Sequence, residues 1–434
     1  MIKKVNAKFI ISLLMSIFIG CFFFNISVGL MGVICTVIIN NIALKLFSGC
    51  KKTIGSIFNV WMAETGIILI IYFLMTAQYG ISYDMSGTDD YYTDIVWSDG
   101  LIEDGIFTIG QINSSAKWCN FNNKLHLLII VWMKKLTSYT GGYHTLDFRI
   151  FNMMLWLTTA MIMGYYAKKY LCATDKEIRM IISVMGLLPN AVFISSLVYR
   201  DTIVTFLVVL SFYISTGFKK RRIYEKTVIL FLLLIILYLT YYTRTQAVIF
   251  VMANILTNYV YPAHKKSLFH MGLYFRRIAA VLAVMVGTVT VWQTLFNQLV
   301  YYIELYTKLH SGSTGVEGFI YGLPLFPFGW LVRMLYYLLL PLYIRDIVPL
   351  SMLTNPLSLL RCYVTWGSLF MWTLYPYVIR YIRKMNNMCV LLILEWFVAA
   401  VITGSFRHVM VMYPMLVTIA VHARCSSKGR VEAV

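Results

Sequence analysis

Long apolar runs, separated by short polar intervals, fill the sequence from Phe9 to Val421. A membrane-spanning helix needs roughly 20 apolar residues to cross about 30 Å of hydrocarbon, and runs of that kind recur throughout the chain. The pattern therefore predicts an all-α, polytopic integral membrane protein with about twelve transmembrane helices. The predicted spans include Ile26–Leu46, Met180–Leu197 and Ile278–Phe296. We expect residues 1–434 to form a single membrane domain.

Basic residues at the ends of the apolar runs predict the orientation. They gather in short clusters, such as Lys51-Lys52 and Lys219-Lys220-Arg221-Arg222. Cytoplasmic loops of membrane proteins carry such an excess of lysine and arginine, so these clusters predict that both termini are cytoplasmic. The lysines before Phe9 resemble those of a signal peptide. No small-residue cleavage site follows and Ile26 begins another apolar run at once, which favours an uncleaved first helix.

Two long polar intervals fall on the predicted outer face, at residues 78–145 and 297–361. The first contains Leu125–Leu136, which is apolar but too short to span and predicts an interfacial or re-entrant helix. The second is rich in glycine and proline and contains Phe326–Ile344, which is long enough to span. If it did, the basic cluster at 380–384 would lie outside after the next helix. The charge rule therefore favours a re-entrant or surface-lying segment.

Composition excludes several classes of function. Hydrophobic residues make up 60% of the chain and charged residues only 13%, against about 25% charged in soluble domains. The net charge of +19 could suggest nucleic acid, but its distribution between apolar runs argues against a nucleic-acid partner. The eight cysteines show no CxxC pair or metal spacing, and no P-loop, GxGxxG or GxSxG motif occurs. The sequence thus predicts no certain cofactor, and a divalent metal stays open without support from a motif.

The most acidic stretch, Gly87–Trp97, lies in the first polar interval. Its adjacent Asp89 and Asp90 are followed by Tyr91 and Tyr92. A carboxylate here could take a proton from an acceptor hydroxyl as a general base, and the aromatic rings suit sugar rings or the membrane interface. The alternative is an ordinary solvated loop.

Arginine is almost the only cation near the predicted outer helix ends. It binds phosphate oxygens through a planar fork and keeps its charge. Any single arginine has the alternative of pairing with a carboxylate, as Arg200 with Asp201 or Arg149 with Asp147. For the whole set, an anionic phosphate-bearing lipid in an outward-facing cavity is the better explanation. The set comprises Arg149, Arg200, Arg244, Arg333, Arg345, Arg361 and Arg407.

Two acids, Glu64 and Glu395, lie within apolar runs. Intramembrane carboxyls can relay protons, although a hydrogen-bonded carboxyl inside a helix bundle is the more common case. His408, beside Arg407, could assist at the outer face, and a lone histidine is more often structural.

Four short motifs carry a resemblance to a known group of proteins. They are GTDDYY, beginning at Gly87; SSLVYRD, ending at Asp201; YTRTQ, ending at Gln246; and SFRHV, containing Arg407 and His408. Together, and with the proline-rich segment between the last two, they resemble bacterial surface-polysaccharide assembly membrane proteins. These are the Wzy-type and EpsG-like repeat-unit polymerases and the related GT-C glycosyltransferases. The resemblance covers most of residues 60–423. In many GT-C enzymes the acidic loop follows the first helix, whereas here it follows the third.

The resemblance implies a GT-C-like arrangement in the bacterial cytoplasmic (inner) membrane. It implies a polyprenyl-(pyro)phosphate-linked glycan as donor, used at the outer leaflet, with membrane lipid and other polysaccharide assembly proteins as further partners. It makes Asp89 or Asp90 the catalytic base. The residues that it implies for holding the phosphate or substrate are Arg200, Asp201, Arg244, Gln246, Arg407, His408, Tyr91 and Tyr92.

The predicted function is glycosyl transfer that polymerises or extends a surface polysaccharide, such as an O-antigen, a capsule or an exopolysaccharide. One alternative is a GT-C enzyme that adds single sugars from a polyprenyl-phosphate donor. Another is a flippase for lipid-linked glycans, which would be expected to show internal repeats that this sequence lacks.

Overall fold

The computed structural model describes residues 7–83, 91–218, 221–260, 316–339, 355–382, 387–402 and 406–431, with scattered positions between 293 and 311. Outside the described residues lie Asp89, Asp90, Arg345, the predicted span from Ile278 to Phe296 apart from Gln293, and residues 312–315 and 340–354 of the predicted loop 297–361.

The described chain is helical and contains no strand. Its α-helices in chain order are α1 Ala7–Phe22, α2 Ile26–Leu46, α3 Lys51–Tyr79, α4 Ser98–Glu103, α5 Ile109–Ser114, α6 Lys124–Thr137, α7 Thr145–Tyr170, α8 Asp175–Gly186, α9 Pro189–Ser195, α10 Asp201–Ser215, α11 Ile223–Thr243, α12 Val248–Val260, α13 Val316–Gly322, α14 Trp330–Leu339, α15 Pro356–Ile382, α16 Asn387–Ile402 and α17 Tyr413–Val431.

Five helices among the described residues are long and apolar enough to cross a membrane, or six if one bent pair counts as a single span. They are α2, α3, α7, α11 and the segment Arg407–Ser426, and the bent pair is α8 with α9. Backbone N–H and C=O groups have no water to bond in lipid, so a spanning chain satisfies them within helices. The prediction of an all-α membrane protein is confirmed.

The structure divides into two compact units. The first comprises Met1–Phe206 with Tyr343–Gly367, and the second comprises Leu207–Leu342 with Ser368–Val434.

In the first unit, α1 and α2 form a helical hairpin that depends on small residues. Asn25 accepts hydrogen bonds from the backbone N–H groups of Ser27 and Val28, which starts α2. An added Cβ on Gly20 would lie 2.7 Å from the Cα of Gly29. The two backbones therefore touch directly, as small residues allow between helices in membranes.

Helix α7 is the centre of the first unit, because it is buried on nearly every face. It packs against α2, α3 and α8. A helix that is apolar all round belongs in a core, which agrees with this position. Gly164 permits close packing of α8, since an added Cβ would lie 2.9 Å from Ile182.

The predicted span Met180–Leu197 is broken in two. Helix α8 ends at Gly186, and α9 begins at Pro189 with a bend of 55° between them. Proline has no N–H to continue a helix and is favoured at its first position, so the chain restarts there.

The interval between α3 and α7 folds around an apolar core of its own. Leu101, Trp118, Leu127, Leu128 and Val131 form this core and are contributed by α4, α6 and the connection between them. The predicted short apolar helix at Leu125–Leu136 is present as α6. The segment Tyr92–Trp97 therefore packs against this apolar core.

In the second unit, side-chain hydrogen bonds to backbone carbonyls fasten the helices together. Trp396 of α16 donates to the carbonyl of Met334 at 2.8 Å, and Trp372 of α15 donates to that of Leu338 at 3.1 Å. Asn254 of α12 donates to the carbonyl of Val208 at 2.8 Å. Such bonds satisfy amide and indole donors that lipid cannot.

The hairpin contact gives a testable prediction. We expect Gly20→Ala to lower the free energy of unfolding of the detergent-purified protein by about 1–3 kcal/mol, and with it the melting temperature, because the added Cβ meets the backbone of Gly29. Gly66→Ala in α3 is the matched control, since nothing lies within 4 Å of its added Cβ. The control is expected to be neutral or slightly stabilising. Equal melting temperatures for the two variants would contradict the close approach.

Candidate functional site

The described members of the predicted site fall in both units. Tyr91, Tyr92, Arg200 and Asp201 belong to the first unit. The remaining members belong to the second and are Arg244, Gln246, Arg407 and His408.

The tyrosines after the acidic pair form an aromatic row. Tyr91 meets Tyr83 and Tyr92 edge to face, with ring centroids 5.6 Å and 5.7 Å apart. Tyr92 continues to Trp97 at 5.9 Å and is partly exposed. The row directly follows the predicted catalytic pair in the sequence, and its outer member offers an accessible ring.

Arg200 and Asp201 stand at the beginning of α10. Asp201 is buried, and its backbone carbonyl accepts a hydrogen bond from the Thr205 hydroxyl at 2.8 Å. A carboxylate at this position is favoured by the positive end of the helix dipole. The preceding turn is fixed by Asn152, which donates to the carbonyls of Leu197 and Tyr199 at 3.0 Å each.

Arg244 and His408, 164 residues apart, come together in the second unit. Arg244 follows α11, and its Nη2 lies 2.5 Å from Nε2 of His408. A guanidinium has only donors, so the imidazole accepts at Nε2 and is the neutral form with its proton on Nδ1. Two of the residues implied by the resemblance thus hold each other.

Gln246 occupies the tight turn Thr245–Ala247 that joins α11 to α12, and is buried. Its Oε1 accepts no hydrogen bond from the described residues. Arg407 and His408 lie in the turn Phe406–Met412 ahead of α17. The three motif arginines therefore all stand at helix ends.

A buried polar cluster in the first unit is centred on Asp94, which was not among the predicted site residues. Its carboxylate is buried and accepts hydrogen bonds from the hydroxyls of Tyr83 and, at 2.6 Å, Tyr143. Its backbone carbonyl accepts from Lys134 at 2.5 Å. Asp94 belongs to the same acidic stretch, so composition pointed to the stretch but not to this member.

Burial raises the pKa of the Asp94 carboxyl, although the two tyrosine hydroxyls and the charges of Lys134 and Arg149 oppose the rise. Burial also raises the pKa of Tyr83 and of Tyr143, and the Asp94 charge adds to both effects. Both tyrosines therefore stay protonated and act as donors. Because Asp94 is buried with both oxygens occupied, it positions Tyr83 and Tyr143 and does not meet a substrate directly.

Arg149 lies beside this cluster, near the start of α7. Its side chain is buried, and its guanidinium lies 5.8 Å and 5.9 Å from the ring centroids of Tyr72 and Tyr83. Nη2 donates to the carbonyl of Ser82 at 2.5 Å and Nε to Thr145 at 3.3 Å. Nη1 has no hydrogen-bond partner among the residues that the structure describes. A buried donor left unpaired is costly, and charged donors most of all.

The alternative of an ion pair between Arg149 and Asp147 is wrong. Asp147 instead accepts from the Ser27 hydroxyl and the His144 backbone N–H, each at 2.9 Å. Residues two apart on a helix point to nearly opposite sides, so the two charges of α7 do not face each other. Arg149 is thus a buried cation that no carboxylate within the described chain holds in a salt bridge.

His144 caps the beginning of α7. Its Nδ1 accepts from the Leu146 N–H at 3.2 Å, and Nε2 lies 3.5 Å from the Tyr72 hydroxyl. The cap therefore requires neutral imidazole with its proton on Nε2. Burial, together with the Arg149 charge, lowers the pKa of His144 to about 4.

Within the described chain, no group of His, Cys, Asp and Glu is arranged to hold a metal ion. The first unit offers the guanidinium of Arg149, the tyrosine hydroxyls and an exposed ring, and the second offers the guanidinium of Arg244. Guanidinium groups are able to bind phosphate oxygens. No family model, curated protein or solved structure matches the chain.

The cap predicts a pH dependence of stability. Below an ordinary pKa of 6.5 the unfolded chain takes up a proton on this histidine that the folded chain resists down to about 4. The stabilisation is therefore complete above pH 6.5 and lost as the pH falls to about 4. We expect His144→Asn, which keeps a cap acceptor but cannot titrate, to lose less stability across this window, by roughly 2–4 °C in melting temperature.

Comparing the two proteins at each pH removes the contribution of Asp94, whose raised pKa acts in the opposite direction. Melting temperatures that change in parallel for the two proteins from pH 7 to 4.5 would contradict the lowered pKa of His144, because the histidine would then bind protons equally in the folded and unfolded chains.

Proposed function

We propose that this protein transfers glycosyl units from a polyprenyl-(pyro)phosphate-linked sugar at the outer leaflet, polymerising or extending a surface polysaccharide. In this proposal the membrane domain has about twelve spans in a GT-C-like arrangement, in the bacterial cytoplasmic membrane. The single observation that carries the proposal is the unpaired Nη1 of the buried Arg149 beside the tyrosines that Asp94 positions.

A phosphate oxygen is the natural partner for that donor. Arginine binds phosphate through charge-assisted hydrogen bonds, which are about twice as strong as neutral ones. In a water-poor site such a bond also stabilises a leaving phosphate as its charge develops. Arg149 is thus added to Arg200, Arg244 and Arg407, which the sequence motifs assign to the same role.

In this proposal the acidic stretch provides the base that accepts the proton of the acceptor hydroxyl. A glycosyl transfer removes a proton from the acceptor hydroxyl while the bond from the anomeric carbon to the phosphate oxygen breaks. We assign the base to Asp89 or Asp90, which follow Tyr83 by only a few residues. Tyr91 and Tyr92 give sugar rings a surface to stack on, and Tyr83 and Tyr143 give their hydroxyls donors.

Arg244 and His408 form the second support for the proposal. Because neutral His408 accepts from Nη2, the guanidinium is held in one orientation. A fixed arginine binds a planar anion with less loss of side-chain entropy than a mobile one. The resemblance also implies a role in holding the substrate for Gln246 in this unit and for Asp201 in the first.

A transporter of lipid-linked glycans is the second candidate. The break between α8 and α9 favours it, since transporters often use interrupted helices in the membrane. Glycosyl transfer by the purified protein in liposomes, with only the lipid-linked donor and acceptor added, would separate the two candidates. In cells, loss of a polymerase leaves single repeat units on lipid, and loss of a single-sugar transferase leaves a truncated unit.

The catalytic assignment predicts the effect of removing the base. We expect Asp89→Asn or Asp90→Asn to lower transfer at least roughly 100-fold, because the acceptor hydroxyl keeps its proton. Long glycan chains should disappear from a surface-polysaccharide gel while the amount of protein in the membrane stays normal.

Asp104→Asn is the matched control in the same interval. Its carboxylate pairs with Lys117 at 3.0 Å on the exposed surface, where such pairs contribute little. It should leave chain length unchanged. Long chains in both Asp89→Asn and Asp90→Asn would refute the role of the pair.

The phosphate assignment predicts a change in donor binding. We expect Arg149→Lys to raise the KM for the lipid-phosphate donor by roughly 10- to 100-fold, since the hydrogen bond from Nη1 to a charged oxygen is lost. The KM for the acceptor should not change. Thermal unfolding of the same preparation reports the separate loss of the bond to Ser82. A lower melting temperature with an unchanged donor KM would make Arg149 a structural residue only.

A further inference from the structure

Glu64 is an acid inside the first unit that the proposed transfer does not use. It lies near the middle of α3, its side chain is fully buried, and neither carboxyl oxygen has a hydrogen-bond partner in the described part of the chain. A charged carboxylate without a partner is very costly in apolar surroundings. Such a group is retained only if a positive charge or a proton neutralises it.

The break between α8 and α9 lies directly against this carboxyl. An added Cβ on Gly186, the last residue of α8, would lie 3.3 Å from Oε1 of Glu64 and 2.5 Å from Val60. Gly186 therefore leaves room for the carboxyl at the place where the helix stops. Any larger residue would fill that room.

The end of α8 adds negative potential to that of Glu64. The last carbonyls of a helix lack N–H partners and carry about half a negative charge. Pro189 supplies no N–H to continue the ladder. The carbonyl of Met185 is taken by Trp156 at 3.1 Å and by the Leu188 N–H at 3.2 Å. An ionised Glu64 facing this helix end is repelled by it, and a cation is attracted to both.

Tyr363 of α15 contributes a third oxygen. Its hydroxyl has no hydrogen-bond partner among the described residues, and it interacts electrostatically with Glu64. Leu157 of α7 and Gly186 of α8 lie at the same place and carry no charge.

We propose that Glu64, the Tyr363 hydroxyl and the carbonyl end of α8 form a binding site for a small monovalent cation, either an alkali ion or an exchangeable proton. Oxygen ligands at an interrupted helix are the usual surroundings of such ions in membrane proteins. The site stands apart from the Asp94 and Arg149 cluster and does not depend on glycosyl transfer.

Labelling with a hydrophobic carbodiimide tests the site, because the reagent reacts with protonated carboxyls in apolar surroundings. The full-length protein in detergent is treated with dicyclohexylcarbodiimide between pH 6 and 9, in sodium, potassium or choline chloride of equal ionic strength. The modified peptides are then measured by mass spectrometry. We expect Glu64 to be labelled in choline chloride and Glu64→Gln to lose that label.

The dependence of the Glu64 labelling rate on the salt and on the pH identifies the bound cation. A labelling rate that falls at least about threefold when sodium or potassium replaces choline indicates an alkali ion. A rate that falls as the pH rises, with no effect of the alkali ions, indicates an exchangeable proton. An unlabelled Glu64, or a rate that is constant in both series, would overturn the proposal.

Glu395 is an internal control in the same digest. Its carboxyl is also buried with both oxygens unpaired, but it lies within the uninterrupted helix α16. We expect its labelling to be insensitive to alkali ions. Tyr363→Phe removes a hydroxyl that has no other partner, so the fold should be retained while the response of Glu64 weakens. If the effect of alkali ions or pH on the labelling of Glu64 is unchanged in this variant, the proposal that both residues form the site is overturned.

Discussion

The need to pair polar groups away from water governs this structure. In an apolar medium an unpaired backbone group costs several kcal/mol, so the chain forms helices throughout its described length. Side chains follow the same rule. The hydroxyls of Ser16, Thr36 and Thr65 bond the carbonyls four residues earlier in their own helices. Exceptions therefore carry information.

Arg149 and Glu64 in the first unit are exceptions to this rule, and their charges are opposite. Arg149 keeps an unpaired donor beside a cluster of tyrosines and carboxylates, so the missing partner is an acceptor, which we identify with phosphate. Glu64 keeps two unpaired oxygens beside the carbonyl end of a helix, so its missing partner is a cation. The opposite chemistry of the two places supports separate roles for them.

Sequence periodicity predicted helices well where lipid alone decides them. The second span was expected at Ile26–Leu46 and α2 has those bounds, because apolar length and Asn25 both act locally. The span expected at Met180–Leu197 is broken, since Pro189 prevents the backbone ladder from continuing across it. The effect of a proline on a helix is a local rule, yet the apolar pattern predicted a continuous span and not the bend of 55°.

The site was less predictable, because its contacts are distant in sequence. Nothing in the motifs around Arg244 or His408 fixes the distance between them, and only the packing of the second unit brings Nη2 to Nε2. The alternative of an ion pair between Arg149 and Asp147 failed for a geometric reason that the sequence did contain. Asp147 is two residues away, and on a helix this spacing separates two side chains. Asp94 was overlooked because adjacent aspartates are more conspicuous than a single one held by tyrosines.

The hairpin that precedes the third span now has a structural role. Ser27, at the start of α2, donates to the carbonyl of Gly142 and to Asp147, each at 2.9 Å. Asn25 donates to the same carbonyl at 3.3 Å. The end of the acidic interval and the first turn of α7 are thereby tied to the hairpin. Because Tyr143 and His144 stand between these two anchors, the hairpin fixes the donors that surround Asp94 and Arg149. If the acidic interval followed the first helix, this hairpin would not precede it. The position of the interval after the third helix therefore gives the site the support of the hairpin.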